Sequence, residues 1–193
     1  MLRKMKSGVC LICTLLVILS AFVVKAEASP VYSLETGHYY DFIRGSFTWD
    51  QAKAAAEALS YNGAQGYLAT LTSYEEDQFI RSNFSSLVSQ FVGPWFGAIW
   101  DGSAYGPTAG WSWVTGEAFS YTGWNGGEPN HLSGENAIHF SYGGWNDILR
   151  GRTDAIGYFV EYNAGTPVPI PATALLFGLG LIGLAGVRKN IKN

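Results

Sequence analysis

The sequence predicts an α+β fold in which two helices pack on small, mainly antiparallel sheets. Two capping motifs mark helix starts in the first half of the chain, and short aromatic strands separated by polar, glycine-rich loops fill the second half. Seven tryptophans among 193 residues supply a core, and a charged fraction of 14% is too low for a disordered acidic chain. The length suits one globular domain with end segments.

The two helices are predicted from their first turns. Thr48 and Gln51 have the spacing of a capping box, and apolar side chains recur at near-helical spacing from Trp49 onward. Asn62-Gly63 is expected to end this helix. A second helix is predicted over residues 72–83, with acids in its favourable first turn. The acids near the two helix starts, to which no functional role is assigned, are Asp50, Glu75, Glu76 and Asp77.

The predicted strands are short segments rich in aromatic and β-branched residues and bounded by turn residues. They cover residues 38–43, 95–100, 111–114, 118–121, 137–140 and 156–162. The tryptophans expected to lie mostly in the core are Trp111, Trp113, Trp124 and Trp145.

The first 28 residues have the pattern of a secretory signal peptide. Three basic residues within positions 3–6 precede an apolar run over residues 8–24, and Ala26-Glu27-Ala28 supplies a small-x-small cleavage site. Cleavage is expected after Ala28, which would remove both cysteines of the chain. The alternative is an uncleaved membrane anchor.

Residues 166–193 form a second end segment, which is apolar over residues 172–187 and ends in basic residues. Its sixteen apolar residues would reach about 24 Å as a helix, short of the roughly 30 Å hydrocarbon core, so a single-span anchor is one interpretation. The other is a sorting tail, because Val168-Pro169-Ile170-Pro171-Ala172 and the Gly-rich run resemble the PEP-CTERM tails of exopolysaccharide-producing Gram-negative bacteria, in their Val-Pro-Leu-Pro-Ala variant. That resemblance implies an exosortase-type membrane enzyme as a partner. Both ends together predict export to the cell surface or the extracellular matrix.

Between these segments the chain is acidic. Residues 29–167 contain five basic and fourteen acidic side chains, a net charge of −9. A nucleic-acid-binding function is not expected, because it requires clustered Lys and Arg. A surface of this charge favours cations.

Oxygen-bearing side chains crowd two neighbouring loops of the acidic part. The candidate ligands are Glu128, Asn130, Glu135, Asn146 and Asp147. No Lys or Arg lies between positions 125 and 147 to neutralise the carboxylates. Carboxylate and amide oxygens suit Ca²⁺, which takes about six to eight of them, whereas Zn²⁺ prefers nitrogen and sulfur. The alternative is that these acids are solvated and bind nothing.

The order Glu128-Pro129-Asn130, Glu135 and Trp145-Asn146-Asp147 is similar to the sugar-binding calcium site of C-type lectins. Residues 95–100 also resemble the central core strand of that family. The whole resemblance covers residues 38–162, within a domain of residues 29–165. It implies a C-type lectin-like fold in which the five candidate side chains ligate one Ca²⁺ and in which the Glu128–Pro129 peptide is cis.

The resemblance implies a calcium-dependent carbohydrate-binding module. Glu before the proline and Asn after it implies mannose-, glucose-, fucose- or N-acetylglucosamine-type sugars, or the organism's own exopolysaccharide. The alternative is the same fold used as a protein-interaction or adhesive surface. An enzyme, such as a glycoside hydrolase with a carboxylate pair, is not expected, since the sequence has no activated-nucleophile motif and no separate catalytic domain.

The sequence departs from animal C-type lectins at the positions of their two disulfides. The matching pairs are Ala56 with Val160, and Ala137 with Arg150. The first pair is expected to pack as small apolar residues, and Arg150 is expected to point to solvent.

A second, auxiliary calcium site is expected to be absent or weak, because His131 and Asn136 stand where the family has acids. His131 and His139 are expected to be surface or strand residues rather than ligands. Since free carboxylates titrate near pH 4, sugar and calcium binding are expected to fade toward that pH.

Overall fold

A computed structural model of the protein describes residues 29–164; the predicted signal peptide (1–28) and sorting tail (166–193) lie outside these residues. Three helices are present among the described residues: α1 (Trp49–Glu57), α2 (Tyr74–Asn83) and the single-turn α3 (Ser85–Val88). In this part of the chain no helix is long or apolar enough to span a membrane.

Nine strands accompany these helices within residues 29–164. They are β1 (Val31–Tyr32), β2 (His38–Arg44), β3 (Ser60–Tyr61), β4 (Ala64–Leu68), β5 (Trp95–Trp100), β6 (Trp111–Trp113), β7 (Ala137–Ser141), β8 (Gly144–Ile148) and β9 (Gly157–Asn163). The central strand order is β1-β2-β9-β5-β7-β8. All strand pairings are antiparallel except one parallel contact between β5 and β9, so the predicted α+β class is confirmed.

The helix starts are as predicted. Thr48 Oγ1 accepts a hydrogen bond from the Gln51 N–H at 3.2 Å, and Gln51 Oε1 accepts one from the Thr48 N–H at 3.0 Å. Ser73 caps α2 by accepting from the Glu76 N–H at 3.2 Å. These reciprocal bonds satisfy N–H groups that the first helical turn cannot pair internally.

The predicted end of the first helix is wrong. Helix α1 ends at Glu57, and Asn62-Gly63 instead forms the two-residue turn of the β3–β4 hairpin, with φ of 50° and 83°. Both residues tolerate the left-handed conformation that this hairpin turn requires, so the same dipeptide signals either feature.

Two strand predictions are also corrected. Residues 118–121 form no strand, and residues 144–148, interpreted from the sequence as part of a loop, form β8. Strand β8 pairs with β7 over five residues, from Ala137 opposite Ile148 to Ser141 opposite Gly144. Four of its five residues are buried, so it lacks the alternation of a half-exposed strand.

The core consists of two clusters on either side of the central strands. One is built around Phe96, Phe140, Trp145 and Phe159, and the other packs α1 against β4 and β9. Of the four tryptophans predicted to be mostly core, Trp124 is the one that is only partly buried; it packs against the first cluster.

The positions that match the family's disulfides have different replacements. Ala56 and Val160 are fully buried in the second cluster, as predicted, and Ala137 is buried with them. Arg150 lies at the surface, where its guanidinium is ion-paired with Asp50 through a 3.0 Å Nε–Oδ2 hydrogen bond.

Asp77 links α2 to the sheet and does more than start a helix. Its side chain is buried and accepts hydrogen bonds from Trp145 Nε1 at 2.9 Å, Arg81 Nε at 2.6 Å and the Tyr121 hydroxyl at 3.1 Å. Because Trp145 is the second residue of β8, this carboxylate fixes the strand that carries Asn146 and Asp147.

We predict that Asp77→Ala lowers the free energy of unfolding by about 3 kcal/mol, since it leaves the buried Trp145 N–H and the partly buried Arg81 and Tyr121 donors without their shared acceptor. Urea denaturation of the full chain measures this loss. The matched control is Glu75→Ala, because the side chain of Glu75 is exposed and lies two residues before Asp77 on the same helix. Equal, small effects of the two substitutions would contradict the structural role of Asp77.

Candidate functional site

The polar loop of residues 124–136 is attached to the start of β8. The Trp145 N–H donates to the Gly123 carbonyl and the Asn125 N–H donates to the Trp145 carbonyl, both at 2.9 Å. The Asn125 amide also donates to the Ser141 carbonyl at 2.7 Å. These bonds place the loop directly against the β7–β8 hairpin.

Asp147 holds the next part of the loop. Its fully buried carboxylate accepts hydrogen bonds from the Asn130 N–H at 3.1 Å and the His131 N–H at 2.8 Å. Glu128 Oε2 lies 3.1 Å from the same Asn130 nitrogen, so the two carboxylates lie side by side. The Glu128–Pro129 peptide bond in this loop is cis, as predicted.

The other predicted ligands line one cleft next to this carboxylate pair. The cleft has a volume of about 190 Å³. Its lining includes Asn130, Glu135 and Asn146. The structure therefore brings all five predicted residues to one place, where β8 supplies two of them and the loop supplies three.

Electrostatics at this place favour a cation. Partial burial and the neighbouring charges of Asp147 and Glu128 raise the pKa of Glu135 to about 7. Burial and the contact with Asp147 also raise the pKa of Glu128. Repulsion between neighbouring carboxylates contributes to raised pKa values, and a cation bound between them offsets this repulsion.

The donor set fits a hard divalent cation. The five side chains offer only carboxylate and amide oxygens as ligands, which is the chemistry of Ca²⁺ rather than of Zn²⁺. One basic side chain, Arg152, also lines the cleft, and it is engaged by Asp154 through a 2.8 Å hydrogen bond. Arg152 lies beyond the sequence window in which basic residues are absent, so sequence inspection missed it.

Comparison with known proteins identifies the fold family. No protein-family model matches the sequence. A perlucin-like protein from Mytilus galloprovincialis is 31% identical over 124 residues, which are 62% of this chain and 72% of that protein. The cow C-type carbohydrate-recognition domain of CD23 superposes with a TM-score of 0.55 at 27% identity, covering 67% of this chain and 91% of that one. The chain belongs to the C-type lectin domain family.

A further relative shows the domain in a much larger protein. Halomucin from Haloquadratum walsbyi is 38% identical over 163 residues, which are 75% of this chain but 2% of halomucin. The match therefore concerns one small part of that protein.

In this C-type lectin domain, His139 orients one of the candidate ligands. His139 is buried on β7, and burial lowers its pKa to about 4, so the ring is neutral at pH 7. Its Nε2 lies 3.2 Å from Asn146 Nδ2, and because the amide nitrogen can only donate, Nε2 accepts. The Asn146 amide nitrogen also contacts the Asp147 carbonyl, which leaves the amide oxygen as the atom of Asn146 that can ligate a cation.

His131, predicted to be a surface or strand residue, is instead enclosed beside Asp147 in the loop. Its side chain is 4% exposed, and its ring centroid lies 4.1 Å from Trp100, 5.2 Å from Tyr105 and 5.8 Å from Trp111. Its Nδ1 is 3.5 Å from Asp147 Oδ2. No local sequence pattern reveals this aromatic enclosure, because its members come from β5, β6 and two loops.

A second acidic cluster, which the sequence analysis missed, lies away from the loop. The cluster, found among the described residues, consists of His38, Glu76 and Glu161. Each offers one atom that could ligate a metal, and these three atoms lie within 4.8 Å of one another. His38 Nδ1 is 2.5 Å from Glu161 Oε1, and this contact raises the pKa of His38. The cluster joins β2, α2 and β9, and its three members are far apart in sequence.

A pKa of about 7 at Glu135 means that protons occupy this carboxyl already near neutral pH, above the pH of about 4 at which free carboxylates titrate. In the metal-free protein the sign of its stability effect is opposite. A folded-state pKa above the unfolded value contributes stability that is full below about pH 4.5 and is lost as the pH rises through about 7.

We predict that Glu135→Gln makes the metal-free chain more stable than wild type at about pH 8, with little difference at about pH 5. Urea denaturation in a chelator at both pH values measures the difference. Glu35→Gln, at an exposed position, is the control. A wild-type-to-variant difference that does not change with pH would show that Glu135 has an ordinary pKa.

Proposed function

We propose that this C-type lectin domain is a calcium-dependent carbohydrate-binding module. The observation that carries the proposal is that Asn130, Glu135 and Asn146 line one cleft beside the paired carboxylates of Glu128 and Asp147, with the pKa values of Glu128 and Glu135 raised by burial and by the neighbouring carboxylates. The related CD23 domain was solved in the presence of a GlcNAc2Man3 oligosaccharide, which supports a saccharide as the ligand class.

The five side chains have complementary roles in this proposal. Their oxygens hold Ca²⁺, which when bound supplies coordination to two neighbouring sugar hydroxyls. The amide nitrogen of Asn130 donates a hydrogen bond to one of these hydroxyls, the carboxylates of Glu128 and Glu135 accept hydrogen bonds from them, and Asn146, whose amide nitrogen is engaged by His139 and the Asp147 carbonyl, contributes its oxygen to the cation. Asp147, already bonded to two loop N–H groups, keeps the loop in place around the ligand.

We predict that Glu128→Gln lowers calcium affinity by at least about tenfold, because one anionic ligand is lost. Calorimetric titration of the full chain with Ca²⁺ measures this, with Glu57→Gln, an exposed residue on α1, as the control. On a glycan array, signals should appear with Ca²⁺ and vanish with a chelator. Protein-partner binding that survives chelation, with no glycan signal, would favour the alternative of a protein-interaction surface.

The Glu-Pro-Asn order leads us to propose mannose-, glucose-, fucose- or N-acetylglucosamine-type sugars, including such units in an exopolysaccharide. In this proposal, the positions of the acceptor Glu128 and the donor Asn130 on either side of Pro129 determine which pair of adjacent sugar hydroxyls is bound tightly.

We predict that mannose competes for the wild-type site and galactose does not, and that exchanging Glu128→Gln together with Asn130→Asp reverses this order by about tenfold in relative affinity. Competition against an immobilised glycan with each free sugar measures the order. An unchanged preference in the double variant would mean that other loop residues set the specificity.

The location of the module follows from segments that the structure does not describe. We propose that residues 1–28 direct export and that residues 166–193, with the apolar run 172–187, are recognised at the membrane by an exosortase-type enzyme. The support is the charge and hydropathy pattern of the two segments. The domain would then act at the cell surface or in the extracellular matrix.

A further inference from the structure

Two exposed aromatic side chains form a pair beside the β7–β8 hairpin. Phe91 and Tyr142 are 66% and 72% exposed, and their ring centroids are 5.4 Å apart. We call this pair the aromatic platform. Large apolar side chains that are exposed together, rather than singly, mark interaction sites on soluble domains.

The backbone at Tyr142 makes this side chain unexpected. Tyr142 and Gly143 form the two-residue turn of the hairpin with φ of 47° and 86°. Asn, Asp and Gly are the residues that favour a left-handed first position in such turns, and a bulky residue there is unfavourable because its Cβ crowds the backbone. A residue kept in an unfavourable conformation at an exposed site points to a function for its side chain.

The platform is held rigidly by its backbone. The Tyr142 N–H donates to the Gln90 carbonyl and the Gly143 N–H donates to the Val88 carbonyl, both at 2.9 Å. The Ser141 hydroxyl donates to the Phe91 carbonyl at 2.8 Å. The two segments that carry the rings are therefore joined to each other and need no ordering when a ligand arrives.

The platform is also continuous with the proposed sugar site. Phe91 and Val92 line the same cleft as Asn130, Glu135 and Asn146. The cleft thus offers a path from the candidate ligands to Phe91 along which a glycan chain can extend from its first pyranose. Aromatic faces pack well against the apolar C–H faces of sugar rings.

We propose that the aromatic platform is a second subsite, which stacks on a further sugar of a glycan whose first sugar is bound at the candidate calcium site. This inference rests on the proposed function. It makes the preferred ligand an oligosaccharide or polysaccharide of at least two linked sugars instead of a free monosaccharide.

Calorimetry on the full chain with saturating Ca²⁺ tests this proposal, using methyl α-mannoside and a linear α-mannotriose as probes. The variant is Phe91→Ser with Tyr142→Asn, which removes both rings and places a favourable residue in the turn, so the fold is preserved. Tyr74→Ser, at an exposed aromatic on α2, is the control. Wild type and control are expected to bind the trisaccharide about tenfold more tightly than the monosaccharide. In the double variant this advantage disappears and monosaccharide affinity is unchanged.

The outcomes separate the two proposals. Monosaccharide binding in wild type with no gain for the trisaccharide, or a gain that survives in the double variant, overturns the second subsite and leaves the sugar site standing. Loss of self-association in the double variant with an unchanged trisaccharide advantage would identify the platform as a contact between copies of the chain, and also overturns the subsite. If wild type binds neither probe nor any glycan on the array, both proposals fail.

Discussion

The buried carboxylate of Asp147 is the interaction on which the functional end of the molecule depends. A buried carboxylate without access to water needs hydrogen-bond partners, and here two backbone N–H groups of the long loop, at Asn130 and His131, donate to it. The strand that carries Asp147 is fixed through Trp145 to Asp77 of α2. The position of the loop is thus set by hydrogen bonds to a strand whose Trp145 is part of the hydrophobic core, although few of the loop's own residues are buried.

This arrangement concentrates negative charge instead of dispersing it. Glu128 and Glu135 are held near Asp147, and partial burial together with the neighbouring carboxylates raises the pKa of both. Repulsion of this kind destabilises a fold and is typical of functional sites. Here aromatic packing around Phe96, Trp145 and the enclosed ring of His131 stabilises the rest of the domain. Neutral His139 beneath Asn146 adds a polar contact without adding positive charge that would oppose a cation.

Features determined by neighbours in sequence were predictable, and those determined by distant partners were not. The starts of α1 and α2 follow from capping residues one turn apart, and the five candidate ligands follow from an ordered motif. Strand β8 was missed because Gly144, Asn146 and Asp147 have low strand propensity, and only pairing with β7 makes the segment extended. The enclosure of His131 and the cluster of His38, Glu76 and Glu161 join residues from separate elements, which no local pattern reveals.

The pairing of β2 with β9 also determines how this domain is attached to its surroundings. His38 lies opposite Asn163, the Ala164 N–H donates to the Gly37 carbonyl at 3.2 Å, and β1 pairs with the other side of β2, so both ends of the described chain lie at the β1–β2–β9 side of the sheet. A unit with adjoining entry and exit is portable, because a longer polypeptide can carry it as an insert without stretching across it. The small share of halomucin that matches this chain is consistent with such modular use. In the central strand order β1 lies at one end and β8, which carries two of the candidate ligands, lies at the other, so a neighbouring segment joined near β1 leaves the β7–β8 hairpin uncovered.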